Sequence, residues 1–137
     1  MVCIIAGVMI APFIHLWSPP AWGREAALLL VAAGFILMVA LLLPTNLRRL
    51  TRHPMLWGMT AWSAGHLLAN GDLASLILFG GFGGYALISI WSLTRRGAVK
   101  TMTRYPAWQD VMTVTAALGL YAIMLWAHPY LFRVAVI

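Results

Sequence analysis

Acidic side chains are the scarcest component of this sequence. Three of its 137 residues are Asp or Glu, namely Glu25, Asp72 and Asp110. Paired-carboxylate acid–base chemistry and carboxylate-held metals are therefore poorly supported. Cysteine occurs once, at Cys3, which rules out an internal disulfide and a cysteine-based zinc cluster. Cys3 reads as a small apolar packing residue. Charged residues make up 9% of the chain, against about 25% in a soluble domain. No Ser/His/Asp set with a buried acid is present, and no glycine-rich phosphate loop follows a strand pattern. Internal repeats, low-complexity tracts and soluble linkers are absent as well.

What the chain has instead is apolar surface: 63% hydrophobic residues and a mean hydropathy of +0.90. Too few polar side chains remain to cover a soluble fold, so lipid is the expected solvent. A membrane helix needs about 20 mainly apolar residues. Five stretches qualify or come near: Met1–Trp17, Ala26–Leu43, Pro54–Ala69, Leu73–Leu93 and Ala107–His128. Their apolar runs are continuous rather than alternating, and an open sheet edge is not satisfied in hydrocarbon. The expected fold class is all-α, an integral membrane bundle of about five helices forming a single domain. Met1–Trp17 lacks the basic n-region of a signal peptide, and Ser18-Pro19-Pro20 is a poor cleavage site. The sequence is apolar from its first residue, so a further segment upstream is expected.

The net charge of +6 invites a nucleic-acid reading, which the distribution rejects. Arg48, Arg49 and Arg52 fall in one loop, and Arg95, Arg96, Lys100 and Arg104 in another. The alternate face has Arg24 and Arg133, with the acids Glu25 and Asp72. Seven basic residues against two is the positive-inside pattern. It places both basic loops and the N-terminus inside, and the Asn70-Gly71-Asp72 turn and the C-terminus outside. Membrane lipid is the expected partner, and the basic loops suit anionic headgroups.

The third stretch draws the eye. Arg52-His53-Pro54 opens it, Pro54 suiting a first helical turn, and Asn70-Gly71-Asp72 closes it. At the helical period two faces separate. Met59, Thr60, Ser63, His66 and Asn70 share one arc; Gly58, Ala61, Gly65 and Ala69 share the other. The small face invites another helix, and the polar face should look into the bundle or a cavity. Ser63, Asn70 and Asp72 are candidate polar-pocket residues around His66. Gly71 reads as a positive-φ turn residue, and Asp72 as a cap on the next helix. Gly80 and Gly84 of the fourth stretch would let a backbone approach. Asp110 sits well near a helix N-terminus, and His128-Pro129 reads as a helix end.

Depth constrains the histidines. His53 lies at the cytoplasmic edge, whereas His15, His66 and His128 lie near the opposite interface. His53 and His66 are thirteen residues apart, about 20 Å along a straight helix. Two ligands of one haem iron approach within about 5 Å, so these two do not share an iron on an unbroken helix. His66 with His15 or His128 is compatible in depth, as is His66 with a histidine from the expected upstream segment. His53, with Arg52 beside it on the inner face, suits a lipid phosphate or polar ligand. His15 and His128 also suit the role of interface residues beside Trp17 and Pro129.

RHPMLWG followed by HLLANGDLASLILFGGF resembles the NnrU family of bacterial membrane proteins over about residues 17–97. The resemblance implies a link to nitrite and nitric oxide reduction. The family is in turn similar to the 15-cis-zeta-carotene isomerases of plants, membrane proteins that use histidine-ligated haem b to isomerise a polyene. It therefore implies haem b as cofactor, a hydrophobic small-molecule substrate and cis–trans isomerisation. His53 and His66 are the matching motif histidines, and the resemblance assigns iron to neither. Together with the depth constraint, the candidate cofactor-binding residues are His66, His53 and His15, with His66 the candidate iron ligand. RHP with a glycine four residues after the proline also resembles membrane S-adenosylmethionine-dependent methyltransferases. Those carry a paired Glu-Glu after the next span, where this sequence has Ser92-Leu93-Thr94-Arg95-Arg96-Gly97. A non-catalytic assembly or interaction subunit is the remaining alternative.

Overall fold

Two prolines set where the first long helix begins. Neither Pro19 nor Pro20 has a backbone N–H to continue a helix, and the Gly23 N–H turns back to the Pro20 carbonyl at 2.8 Å. In the computed structural model, which describes Gly7 and residues 10–132, helix α1 runs Gly23–Leu42, starting ahead of the expected Ala26. Leu43 is extended, Pro44 follows, and a 3-10 turn occupies Asn46–Arg49. Helix α2, Pro54–Ala69, has its proline in the first turn. Helix α3 runs Leu73–Arg95, and its Leu76–Gly80 turn is π-helical. Helix α4 is Ala107–Phe132. Extended pairing among the described residues is limited to an isolated bridge between His15 and Asp72.

Helices α1, α3 and α4 are long and apolar enough to cross a membrane. Helix α2 has 16 residues, about 24 Å of helix against about 30 Å of hydrocarbon. It is the short member, packed between α1 and α3.

Two expected boundaries shift. Part of the Met1–Trp17 stretch lies outside the described residues, and its end is not helical: the chain is irregular or extended from Pro12 to Pro20. The Leu16 and Trp17 N–H groups donate to the Gly71 carbonyl at 2.8 and 3.1 Å, and Leu73 N–H donates to Ile14 at 2.9 Å. Those groups are satisfied across the turn rather than within a helix. At the other end α4 passes through Pro129 to Phe132 instead of stopping. Ring contacts Trp126–Tyr130 and His128–Phe132 brace this last turn across the proline, whose missing N–H forfeits one helical bond.

The small face of α2 meets α1. A Cβ on Gly58 would lie 2.8 Å from the Gly34 carbonyl oxygen, and one on Gly34 2.8 Å from that of Gly58. Farther along, a Cβ on Gly65 would meet Val31 and Ala27. As α2 advances from 58 to 65 its partner retreats from 34 to 27, so the two helices are antiparallel. Such contact without large side chains suits helices in lipid, where van der Waals packing replaces the hydrophobic drive. The other face of α2 meets α3: a Cβ on Gly83 would lie 3.1 Å from the Ser63 Cβ, and Trp62 touches Phe79 and Phe82. Gly81 and Gly84 meet no neighbour, and Gly80 touches only Leu76 of its own helix. The Gly80/Gly84 pair therefore faces away from this bundle. Helix α4 lies on α1, where Tyr121 contacts Phe35 and its hydroxyl donates to the Leu28 carbonyl at 2.9 Å.

Both basic loops meet at one end of the bundle. The Lys100 ammonium donates to the Leu50 carbonyl at 3.1 Å. A knot around Asp110 fixes the end of α1 to the start of α4. Buried Thr45 donates its hydroxyl to one Asp110 oxygen, which also accepts from Asn46 N–H at 2.6 Å. The Asn46 side-chain amide donates to the other oxygen at 2.8 Å and to the Tyr105 carbonyl at 2.8 Å, and accepts from Tyr105 N–H at 3.0 Å. Asp110 does occupy the first turn of α4, but its partners lie on the preceding loop.

Candidate functional site

His66 sits in the last turn of α2. Its Nδ1 lies 2.9 Å from the Trp62 carbonyl one turn earlier. A carbonyl only accepts, so Nδ1 carries the proton and neutral His66 keeps its lone pair on Nε2. The ring stacks on Phe79 from the π turn, with centroids 4.3 Å apart and planes 21° apart, and Trp62 lies 4.9 Å away. Helix, carbonyl and two aromatic rings thus fix the imidazole in orientation and tautomer. His128 lies on α4, the helix that packs on α1, with its ring against Phe132.

The expected polar pocket does not form as one unit. Asn70 donates its amide to the His66 backbone carbonyl at 2.8 Å, not to the ring. Ser63 is buried toward α3, and its hydroxyl has no hydrogen-bond partner. Asp72 caps α3, accepting from Ser75 N–H at 3.0 Å and from the Ser75 hydroxyl at 2.6 Å. Partial burial pushes the Asp72 carboxyl up, and the Ser75 hydrogen bonds outweigh this, leaving it below its usual value. His15 pairs its backbone with Asp72, and its Nε2 lies 3.3 Å from the Ser18 hydroxyl. His53 begins α2 at the opposite end, with Nε2 3.1 Å from the Thr94 hydroxyl. It is thereby tied to the end of α3, beside exposed Arg52. The continuous helix from Pro54 to Ala69 keeps His53 and His66 about 20 Å apart.

Beyond Trp62 an apolar groove of about 240 Å³ is lined by Phe35, Met38, Met59, Trp62 and Phe82. That is below the roughly 300–1,000 Å³ of most small-molecule sites. Among the described residues no group of three or more His, Cys, Asp or Glu is placed to hold a bare metal ion. The donor chemistry, an oriented imidazole with its lone pair on Nε2, fits a haem iron. The groove alone does not enclose a ring of that size, so binding would rest on the histidine donor.

Trp62, Phe79 and Phe82 did not stand out in the sequence as site residues. Trp62 carries a readable signal, standing one helical turn before His66. The two phenylalanines are three residues apart in a glycine-rich run, and only the packing of α3 on α2 reveals their part.

No curated protein and no solved structure matches the chain. The family model described as NnrU protein matches residues 1–136, essentially its whole length. With apolar helices of membrane-crossing length and this match, the chain belongs to the NnrU family.

Proposed function

We propose that this chain is a multi-pass protein of the bacterial cytoplasmic membrane that binds haem b through His66 and serves as a cis–trans isomerase of a hydrophobic polyene. The observation that carries the reading is the Trp62 carbonyl on Nδ1 of His66, which leaves Nε2 as the donor. Intramembrane ionisable residues are functional by default, and this one is held as metal-bound imidazoles are held. Phe79 fixes the plane of the ring, and Asn70 closes the end of its helix. The chemistry such a group supplies when bound is electron density lent to a conjugated double bond, which lowers its rotation barrier. The link to nitrite and nitric oxide metabolism belongs to the same proposal through the family.

The test is an absorption spectrum of detergent-purified protein. A Soret band is expected, and His66→Ala should abolish or shift it while His53→Ala leaves it in place. Loss on His53→Ala with His66→Ala unaffected would move the site to the inner edge, where the methyltransferase resemblance lies. Absence of any band, with haem supplied during expression, would leave the non-catalytic assembly subunit as the better reading.

The orientation is proposed with it, as five spans with the basic loops inside. Both loops lie at one end of the bundle, as a positive-inside arrangement requires. Reporter fusions at Gly71 should report the outer side and fusions at Gly97 the cytoplasm. The reverse pattern would sink the orientation.

A further inference from the structure

We infer that the basic end of the bundle holds the headgroup of an anionic phospholipid, seated between the Asn46–Arg49 turn and the loop after α3. Seven basic side chains converge on this end from residues 48–52 and 95–104, and the Lys100–Leu50 contact brings the two loops together. Asp110 is the acid on this face, and both its oxygens are engaged by Thr45 and Asn46. Its single negative charge stands against seven basic side chains. Arg48 and Arg49 are partly buried, and the Nε of Arg49 is enclosed with no hydrogen-bond acceptor. Buried donors without partners are rare, and a guanidinium is shaped to grip two phosphate oxygens at once. The knot of Asn46 with Asp110 and Tyr105 holds the arginine-bearing turn in place before any ligand arrives.

Apolar neighbours decide between a lipid and a free phosphate. Leu50, Val99 and Met102 are exposed at 64%, 83% and 78% in the same two loops. Phosphate in water has no use for such a border, whereas a phospholipid presents its anionic head and its acyl chains together. The inference rests on the membrane placement of the chain and does not involve haem.

Native mass spectrometry of the full-length protein in detergent tests it, with dioleoyl phosphatidylglycerol, dioleoyl phosphatidylcholine and inorganic phosphate as probes. Phosphatidylglycerol should be retained at roughly tenfold lower concentration than phosphatidylcholine, given a gain of roughly fivefold per basic side chain near an anionic surface. Arg48→Gln with Arg49→Gln should erase most of that preference, and Arg24→Gln, at the opposite end, should leave it unchanged. Circular dichroism checks the fold, and if the double variant does not fold, Arg48→Gln alone should still lower the preference several-fold. Equal retention of the two lipids overturns the inference. So does an undiminished preference in the folded variant, an equal loss from Arg24→Gln, or displacement of the lipid by inorganic phosphate. None of these outcomes alters the Soret test of His66, and a missing Soret band does not alter lipid retention.

Discussion

Gly71→Ala is expected to unfold the end of the molecule that carries His66. A Cβ at position 71 would lie 1.8 Å from the Trp17 carbonyl oxygen and 2.9 Å from its carbonyl carbon. Both are backbone atoms, so no side-chain rotation relieves the overlap. Pro19 stands 3.2 Å away on the same side and stiffens the segment that would have to move. Moving it breaks the bonds from Leu16 and Trp17 to the Gly71 carbonyl. Overpacking in a core costs about 1–3 kcal/mol when side chains can yield. Here backbone must yield, and a loss of about 4 kcal/mol or more is expected. Thermal melting in detergent measures it, with Gly81→Ala as the control, since Gly81 has open space. Gly71→Asn separates two explanations. Positive φ would make Asn a tolerable replacement, but among the described residues the positive-φ glycine is Gly97. Asn should therefore fail as Ala does. A melting temperature for either variant within about 2 °C of the parent protein would show that the contact is not needed.

The second large effect lies at the α1–α2 contact. Gly65→Leu should destabilise the protein by about 3 kcal/mol, against about 1 kcal/mol for Leu67→Ala. A Cβ on Gly65 already stands 3.0 Å from Val31 Cγ2, 3.2 Å from the Ala27 carbonyl oxygen and 3.4 Å from Ala27 Cα. Three more carbons have no space unless the helices separate, which would also lift Gly58 from Gly34. Leu67 is half-buried, and lipid replaces much of what it loses on truncation. Reversible unfolding in mixed micelles ranks the two. An equal or larger loss from Leu67→Ala would mean that the small face is not the contact that holds α2.

The sequence was most legible where lipid leaves few options. Long apolar runs show as helices, the small face of α2 meets α1, and Asp72 caps α3, because each follows from local chemistry alone. The loss of helix before Trp17 was hidden, since its cause is the Gly71 carbonyl more than fifty residues away. The sequence marks Gly71 by its turn, and a turn needs positive φ far more often than it needs a missing Cβ; here the missing Cβ is what the fold uses. A helical pattern shows the helix that Asp110 starts and not the loop it faces, so the sequence suggests a dipole partner where the structure has a tether to Asn46. Of the candidate site, His66 was visible from its polar arc. The role of Trp62 lies in its backbone carbonyl, which its side-chain identity does not announce.

The π turn at Leu76–Gly80 also limits what a helical wheel reveals in this chain. A π turn is equivalent to one residue inserted into an α-helix, and one residue rotates everything downstream by about 100°. Phe79 lies inside that turn, whereas Phe82, Gly83 and Thr94 follow it, and all four address α2 or the His53 at its start. The half of α3 before the turn is phased by the Asp72 cap, and the half after it by contact with α2. The extra residue reconciles the two phases. Insertions and deletions here are thus unequal in kind: a residue removed from 76–80 would restore a regular helix locally and carry Gly83 and Thr94 off their partners, without changing any side chain that touches His66 from α2.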